Sequence, residues 1–331
     1  MSKVHGIAYL DHSALNDMYE GNESEIHDYL QFNNLQVVYS DENLTEIRNS
    51  VVRREYFVDK LDKLKAFHIE NPLDGNRKQT NTLSFAPVLA SERLAIAEQD
   101  EKHPEQEPID SDDAEDAFIE ILSKLHGADS DSSVEELMSN VLDQVARDAE
   151  GIPDDQIAEM RSSLCVFGEV DEELKKNGAP FSSVNIEKHL GYSTAEISGV
   201  TGPNIIAKLW RMINGNFGDS KTIDDYQDHI MSVAGFQYGL DGTSNLTLIQ
   251  RANDLYHWLN QIGYHKDEKI KKIRKMKGSF RDMTHAGYAM AGSTHFLCSD
   301  KRLRLKAEAI YEHLGFESTI VDTKSLADTP V

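Results

Sequence analysis

HFLCSDKRLRLKAEAIYEHLGFESTIVD (residues 295–322) reads as a strand, a helix and a second strand. HFLCS is a short apolar run. In KRLRLKAEAIYEHLG, Leu303, Ala307, Ile310 and Leu314 recur on one helical face, and Gly315 supplies the left-handed stop that a helix end favours. STIVD is the returning strand. The opposite end of the chain has the same grammar. GIAYLD (6–11) and LQVVYS (35–40) read as buried strands with helices near 13–19 and 25–32 between them. One long helix is then expected through DENLTEIRNSVVRREYFVDKLDKLKAF (41–67), with Leu44, Ile47, Val51, Val58 and Leu61 on its inner face. Ser40 or Asp41 can cap its start.

Strands that alternate with helices imply a parallel sheet covered on both faces. Neither end of the chain holds enough strands alone, so the two are expected to build one sheet. The expected fold is α/β: a three-layer, mostly parallel sheet with a large α-helical insertion. Residues 1–95 and 266–331 are its two parts, and residues 96–265 are the acidic helical insertion. Within the insertion, residues 98–116 read as a solvated loop, and helices are expected over 114–125, 134–149, 153–163, 204–213, 223–238 and 246–262.

The 331 residues carry a net charge of −23, which argues against nucleic acid until its distribution is read. Residues 98–173 hold 25 Asp/Glu against 4 Lys/Arg, nearly the whole excess. Residues 266–306 reverse the sign, with 12 Lys/Arg against 4 Asp/Glu. The acidic stretch slows the approach of a polyanion, and the basic stretch can hold one locally. Two cysteines, Cys165 and Cys298, make no disulfide framework and suggest a reducing, cytoplasmic setting. No stretch has the roughly 18–20 apolar residues of a membrane span, and the run before Asp11 is too short for a secretory leader. Glycine-rich phosphate loops, HExxH and EF-hand spacing are all missing.

In open parallel sheets, ligands sit at the carboxyl ends of the strands. Asp11 ends the first strand and Asp300 follows HFLCS. Glu46 lies in the first turns of the helix after LQVVYS, and its side chain leans back toward that edge. Asp282, in SFRDMTHAGYAMAG, is expected to begin the helix that leads into HFLCS. Four carboxylates on one edge repel each other, and a hard divalent cation resolves the repulsion. Each acid also has a bland reading: Asp11, Asp300 and Asp282 as helix caps, and Glu46 as a solvated acid. His285 reads as a surface or packed histidine, or as a group supporting the metal or phosphate.

These segments resemble PIN-domain nucleases. The resemblance is carried by Asp11-His12-Ser13, Leu44-Thr45-Glu46-Ile47, Asp282 with its small-residue helix, Ser299-Asp300-Lys301-Arg302, and the 18-residue step from Asp282 to Asp300. It covers about residues 1–70 and 278–325. It implies metal-dependent cleavage of RNA, less often DNA, with Mg²⁺ or Mn²⁺ held by Asp11, Glu46, Asp282 and Asp300. The long middle region departs from a compact PIN domain, as does Cys298, where the family often has a hydroxyl residue.

KDEKIKKIRKMKGSFR (266–281) runs into Asp282, and KRLRLK follows Asp300. Lys275, Lys277, Arg281, Lys301 and Arg302 are therefore the expected phosphate contacts. The competing account of the first run is a solvated amphipathic helix. The basic runs can also dock on acidic residues 98–173, or that acidic stretch can recruit a regulatory protein; a toxin or defence role fits this regulated look. Two rival functions stay open: a non-catalytic PIN-like module working through its acidic region, and another metal-dependent phosphoryl-transfer enzyme. An oligomer is compatible with either.

Overall fold

The computed structural model describes residues 6–50, 52–72, 80, 82–102, a few positions between 119 and 176, 191–214, 247–267 and 273–328. The expected helices over 134–149, 153–163 and 223–238 fall largely or wholly outside these residues, as do Cys165 and most of the acidic stretch.

The chain divides into two compact units. One comprises Met1–Ala97, Gly199–Asn260 and Arg281–Val331; the other comprises Glu98–Ser198 and Gln261–Phe280. The first unit is built on a six-stranded sheet of order β4-β3-β2-β1-β5-β6. Its strands are β1 (Gly6–Leu10), β2 (Leu35–Tyr39), β3 (Phe67–Glu70), β4 (Ser84–Ala86), β5 (His295–Leu297) and β6 (Thr319–Val321). All neighbours are parallel except β3 and β4. The α/β expectation therefore stands, and the two ends of the chain meet where β1 pairs with β5, Tyr9 opposite Phe296.

Alternation along β1 sets the layers. Ala8 and Leu10 face one way, into a core with α1 (His12–Asp17), α2 (Glu23–Phe32), α3 (Asp41–Asn49) and α4 (Arg54–Lys63). Tyr9 faces the other way, against His285 and Phe296. The remaining described helices are α5 (Ala90–Lys102), α6 (Thr194–Ser198), α7 (Ile205–Asn214), α8 (Leu248–Ile262), α9 (Ile273–Gly292) and α10 (Lys301–Leu314). Tyr311 of α10 packs near Phe296 and donates to the carbonyl of Ala286 at 2.8 Å, joining α10 to α9 on that second face.

Three expectations need correction. The long helix after β2 is two helices, α3 and α4. The break falls at Ser50, whose backbone is non-helical, beside the β-branched pair Val51-Val52, and Val52 is exposed. β-branched residues crowd the preceding turn and weaken a helix where nothing packs against them. Second, β3 and β4 extend the sheet after α4, where the sequence shows only a fading pattern. Third, Asp282 does not begin a helix: α9 starts at Ile273 and carries Asp282 in its interior. Ser279, three residues earlier, lies inside the same helix and donates to Asp267 at 2.6 Å. The αL stop at Gly315 (φ 74°) and the helix before it are as expected. In the second unit, the hydroxyl of Ser198 joins α6 to the turn at Gly263, donating to its carbonyl at 3.1 Å.

Candidate metal centre

β1 delivers Asp11 to its carboxyl end, where the carboxylate caps α1. Oδ2 accepts from the Ser13 backbone N–H at 3.0 Å and from the Ser13 hydroxyl. The Cys298 thiol, on the neighbouring strand end, lies 3.5 Å from the same oxygen. The cap therefore occupies one oxygen and turns the other, Oδ1, inward toward Nε2 of His285, 4.0 Å away. Asp11 is 4% exposed.

β2 delivers the second carboxylate less directly. It ends at Ser40, which caps α3; the Ser40 backbone N–H donates to Asn43 Oδ1 at 2.9 Å, and Asn43 Nδ2 donates back to the Leu10 carbonyl at 3.0 Å. This fixes the start of α3 against the end of β1. Glu46, five residues into α3, then reaches His285 Nε2 at 2.9 Å. Asp11, Glu46 and His285 each place one donor atom within 4.8 Å of the others, the described group suited to hold a metal ion.

His285 is fully buried, and both ring nitrogens are engaged. Nδ1 lies 2.7 Å from the Tyr9 hydroxyl, which lies 2.7 Å from the Ser40 hydroxyl. Buried polar groups need such partners, and a ligating histidine is oriented by the bond at its other nitrogen. Burial alone would lower the imidazole's pKa. The hydrogen bond to Glu46 and the charges of Glu46, Asp11 and Glu42 outweigh it and raise the pKa to about 9. Burial likewise favours a neutral Glu46, yet His285, His12 and Arg281 hold its pKa below the usual carboxylate value. The Cys298 thiol is pushed far up by burial and by Asp11, so it is a packed thiol rather than a nucleophile.

A second histidine borders the group. His12 stacks edge-on against Phe57, with ring centres 5.0 Å apart, and its Nε2 lies 3.4 Å from the Ser50 hydroxyl. Its Nδ1 is 3.9 Å from Glu46 Oε2 and has no hydrogen-bond partner. Burial lowers the pKa of this imidazole more than the nearby acids raise it.

Of the four expected carboxylates, Asp11 and Glu46 meet. Asp282 is half-buried on α9, three residues before His285, and is not part of the three-residue group. Asp300 follows β5, the strand next to β1, and its backbone carbonyl is 3.8 Å from the Cys298 thiol that touches Asp11. Its exposed carboxylate accepts from the backbone of Arg302 and Leu303 at 2.7 and 3.0 Å, capping α10. Asp300 is likewise outside the group.

Among the expected phosphate contacts, Lys301 and Arg302 are exposed in the first turn of α10. That is the end of a helix where cations are disfavoured, and here the Asp300 carboxylate caps it. Arg281 is half-buried and close enough for its charge to act on Glu46. Lys277 is half-buried in the other unit, and the side chain of Lys275 lies outside the described residues. Most of the acidic stretch, with its expected docking role, also lies outside them. No protein-family model, curated protein or solved structure matches the chain.

Proposed function

We propose that the chain is a PIN-like, divalent-metal-dependent endonuclease that hydrolyses phosphodiester bonds in RNA. The observation that carries the reading is the meeting of Asp11 Oδ1, Glu46 Oε2 and His285 Nε2 at the carboxyl ends of β1 and β2, from segments more than 230 residues apart. The donor set of two carboxylates and an imidazole fits a divalent ion, with Asp11 held by Ser13 and His285 by Tyr9. A divalent ion bound there supplies positive charge to the scissile phosphate and acidity to the attacking water.

The chain's own residues supply the rest. Asp11 and Glu46 hold the ion, and Tyr9 with Ser40 keeps the His285 ring in one orientation. Lys301 and Arg302 offer exposed charge to phosphates that flank the cut. A shift of His285 or Glu46 by an ångström would misplace the ion, so the supporting bonds are expected to matter for turnover as well as for stability. The test is cleavage of labelled RNA and DNA by the purified chain with Mn²⁺ and with chelator. The reading expects Mn²⁺-dependent cutting of RNA that Asp11→Asn lowers by about 10³-fold; activity surviving in chelator, or undiminished in that variant, overturns it.

One observation favours a second reading, a PIN-like module without turnover. The Asp300 carboxylate is engaged as a helix cap and the ligand group has two carboxylates rather than four. That reading expects Mn²⁺ binding with no cleavage of any oligonucleotide.

A further inference from the structure

An exposed aromatic ring and an open cation sit together beside the Asp11–Glu46–His285 group, and neither belongs to it. After α1 the chain makes one wider, π-helical turn, Met18–Asn22, which carries Tyr19 to the surface, 44% exposed. Arg53, the residue before α4, lays its guanidinium over the Tyr19 ring, 4.6 Å from the centroid. Stacked rings join this pair to the group. Tyr19 packs edge-on against Phe57 with centres 6.4 Å apart, and Phe57 packs edge-on against His12, the neighbour of Asp11, at 5.0 Å.

α4 carries a second pair of the same kind, with Lys60 Nζ 5.2 Å from the centre of the Tyr56 ring. There the Glu23 carboxylate accepts from both the Tyr56 hydroxyl and the Lys60 ammonium, and Lys60 is buried. That pair is closed within the fold. The Tyr19–Arg53 pair is open. Among the described residues only Arg53 Nη1 finds acceptors, Asn16 Oδ1 at 2.8 Å and Glu20 Oε1 at 3.3 Å. Nε and Nη2 find none and are not buried. The Arg53 and Glu20 side chains are 36% and 58% exposed, and ion pairs so exposed are weak.

A guanidinium steadied at Nη1 and against a ring, with its Nε–Nη2 edge free, is the fork that takes a phosphate through two hydrogen bonds. An exposed tyrosine beside it offers the flat surface on which an unpaired base stacks. We infer that Tyr19 and Arg53 form a nucleotide subsite, Arg53 taking a backbone phosphate and Tyr19 an unpaired base, so that the chain prefers single-stranded to double-stranded RNA. The inference rests on the nuclease reading and adds to it the kind of strand the site accepts. The preference follows from stacking: a base inside a duplex already has both faces covered by its neighbours, and an unpaired one does not.

The experiment uses the full chain in chelator, so that affinity is read apart from metal-dependent turnover. Fluorescence anisotropy of a short labelled RNA, alone and annealed to its complement, is measured for wild type, Tyr19→Ala, Tyr19→Phe and Arg53→Gln, and circular dichroism verifies folding. Tyr19→Ala is expected to weaken binding of the unpaired strand by about tenfold or more and of the duplex by less than about twofold. Tyr19→Phe keeps the ring and is expected to stay within about twofold of wild type. Arg53→Gln is expected to lower the slope of log affinity against log salt by about 0.7, the loss of one phosphate contact on a single strand. That variant alters only a half-exposed side chain, so it decides the matter should Tyr19→Ala fail to fold. A wild type without preference for the unpaired strand, an equal loss on both strands in Tyr19→Ala, or an unchanged salt slope in Arg53→Gln overturns the inference. The nuclease reading fails separately. Binding of unpaired RNA through Tyr19 and Arg53 in a chain that cuts nothing with Mn²⁺ sinks that reading and keeps the subsite; Mn²⁺-dependent cutting with wild-type affinity in Tyr19→Ala and Arg53→Gln does the reverse.

Discussion

Two neighbouring strand ends carry the same local device and put it to different use. β1 ends in Asp11, which caps α1; β5 is followed by Asp300, which caps α10. Asp300 is exposed, and one of its oxygens, Oδ1, accepts both backbone N–H groups. Asp11 is buried; its Oδ2 does the capping while its Oδ1 faces His285. Capping one group and facing another are therefore not rival roles for an aspartate at a strand end. A carboxylate has two oxygens, and burial beside an imidazole decides whether the second one meets water or a ligand group.

The largest expected effect is at the buried end. Asp11→Asn keeps a good cap, since Asn caps as well as Asp, but removes the charged donor. Cleavage should fall by about 10³-fold with little change in melting temperature. Asp300→Asn is the sharpening partner: the same cap is preserved, and cleavage should fall by less than about tenfold. Equal losses in single-turnover assays of the two variants would bring Asp300 into the ligand set and erase the contrast.

Next in size is Tyr9→Phe. It cuts the bridge between His285 Nδ1 and the Ser40 hydroxyl. Leaving these buried groups short of a partner should cost about 1–3 kcal/mol in urea unfolding. Metal affinity should drop about 10–100-fold as the ring loses its orientation. Unchanged Mn²⁺ affinity by calorimetry would confine Tyr9 to packing.

Removing the caps outright comes third. Asp300→Ala should destabilise by about 1 kcal/mol through the cap alone. Asp11→Ala should show a similar cap loss in the same urea experiment, partly offset by relief of carboxylate crowding with Glu46. A stability gain in Asp300→Ala would show that its cap does not hold α10.

The smallest effect belongs to a third strand end, where Asp41 follows Ser40 after β2. Burial would raise its pKa, but His68 at 3.0 Å and Arg93 at 3.0 Å hold it down to about 2. A depressed carboxyl stabilises the fold above its unfolded value, near 3.9, and that contribution is lost as pH falls toward 2. The side chain is 58% exposed, so screening keeps the effect under about 1 kcal/mol. Asp41→Asn should flatten the melting temperature's fall between pH 4 and 2, and an identical acid profile would remove Asp41 from the balance.

Much of this was legible in the sequence for identifiable reasons. β1, β2, β5 and β6 are apolar runs bounded by polar residues or glycine, and Gly315 marks the end of α10 by the backbone angle it alone adopts cheaply. The division of α3 from α4 was not legible, because Leu44 and Leu61 keep helical spacing across a break they do not cause. β3 and β4 were hidden by length: FHIE and SFA are too short for alternation to show, and β4 gains its identity from pairing with β3. Asp11 and Glu46 could be placed because strand ends and helix starts define an edge. His285 could not be placed by spacing from Asp282 alone. Its signal was composition: a lone imidazole among alanines and glycines in HAGYAMAG, a stretch suited to close packing on a sheet, where a buried histidine must find partners.

The central claim is that one ion is shared by the ends of β1 and β2 and the middle of α9. Crystals of the full chain grown with Mn²⁺, measured for anomalous scattering at the manganese edge, test it most directly. The account predicts a peak about 2.0–2.3 Å from Asp11 Oδ1, Glu46 Oε2 and His285 Nε2 together. A peak held instead by Asp282 and Asp300, or no peak beside Glu46 at saturating Mn²⁺, contradicts it.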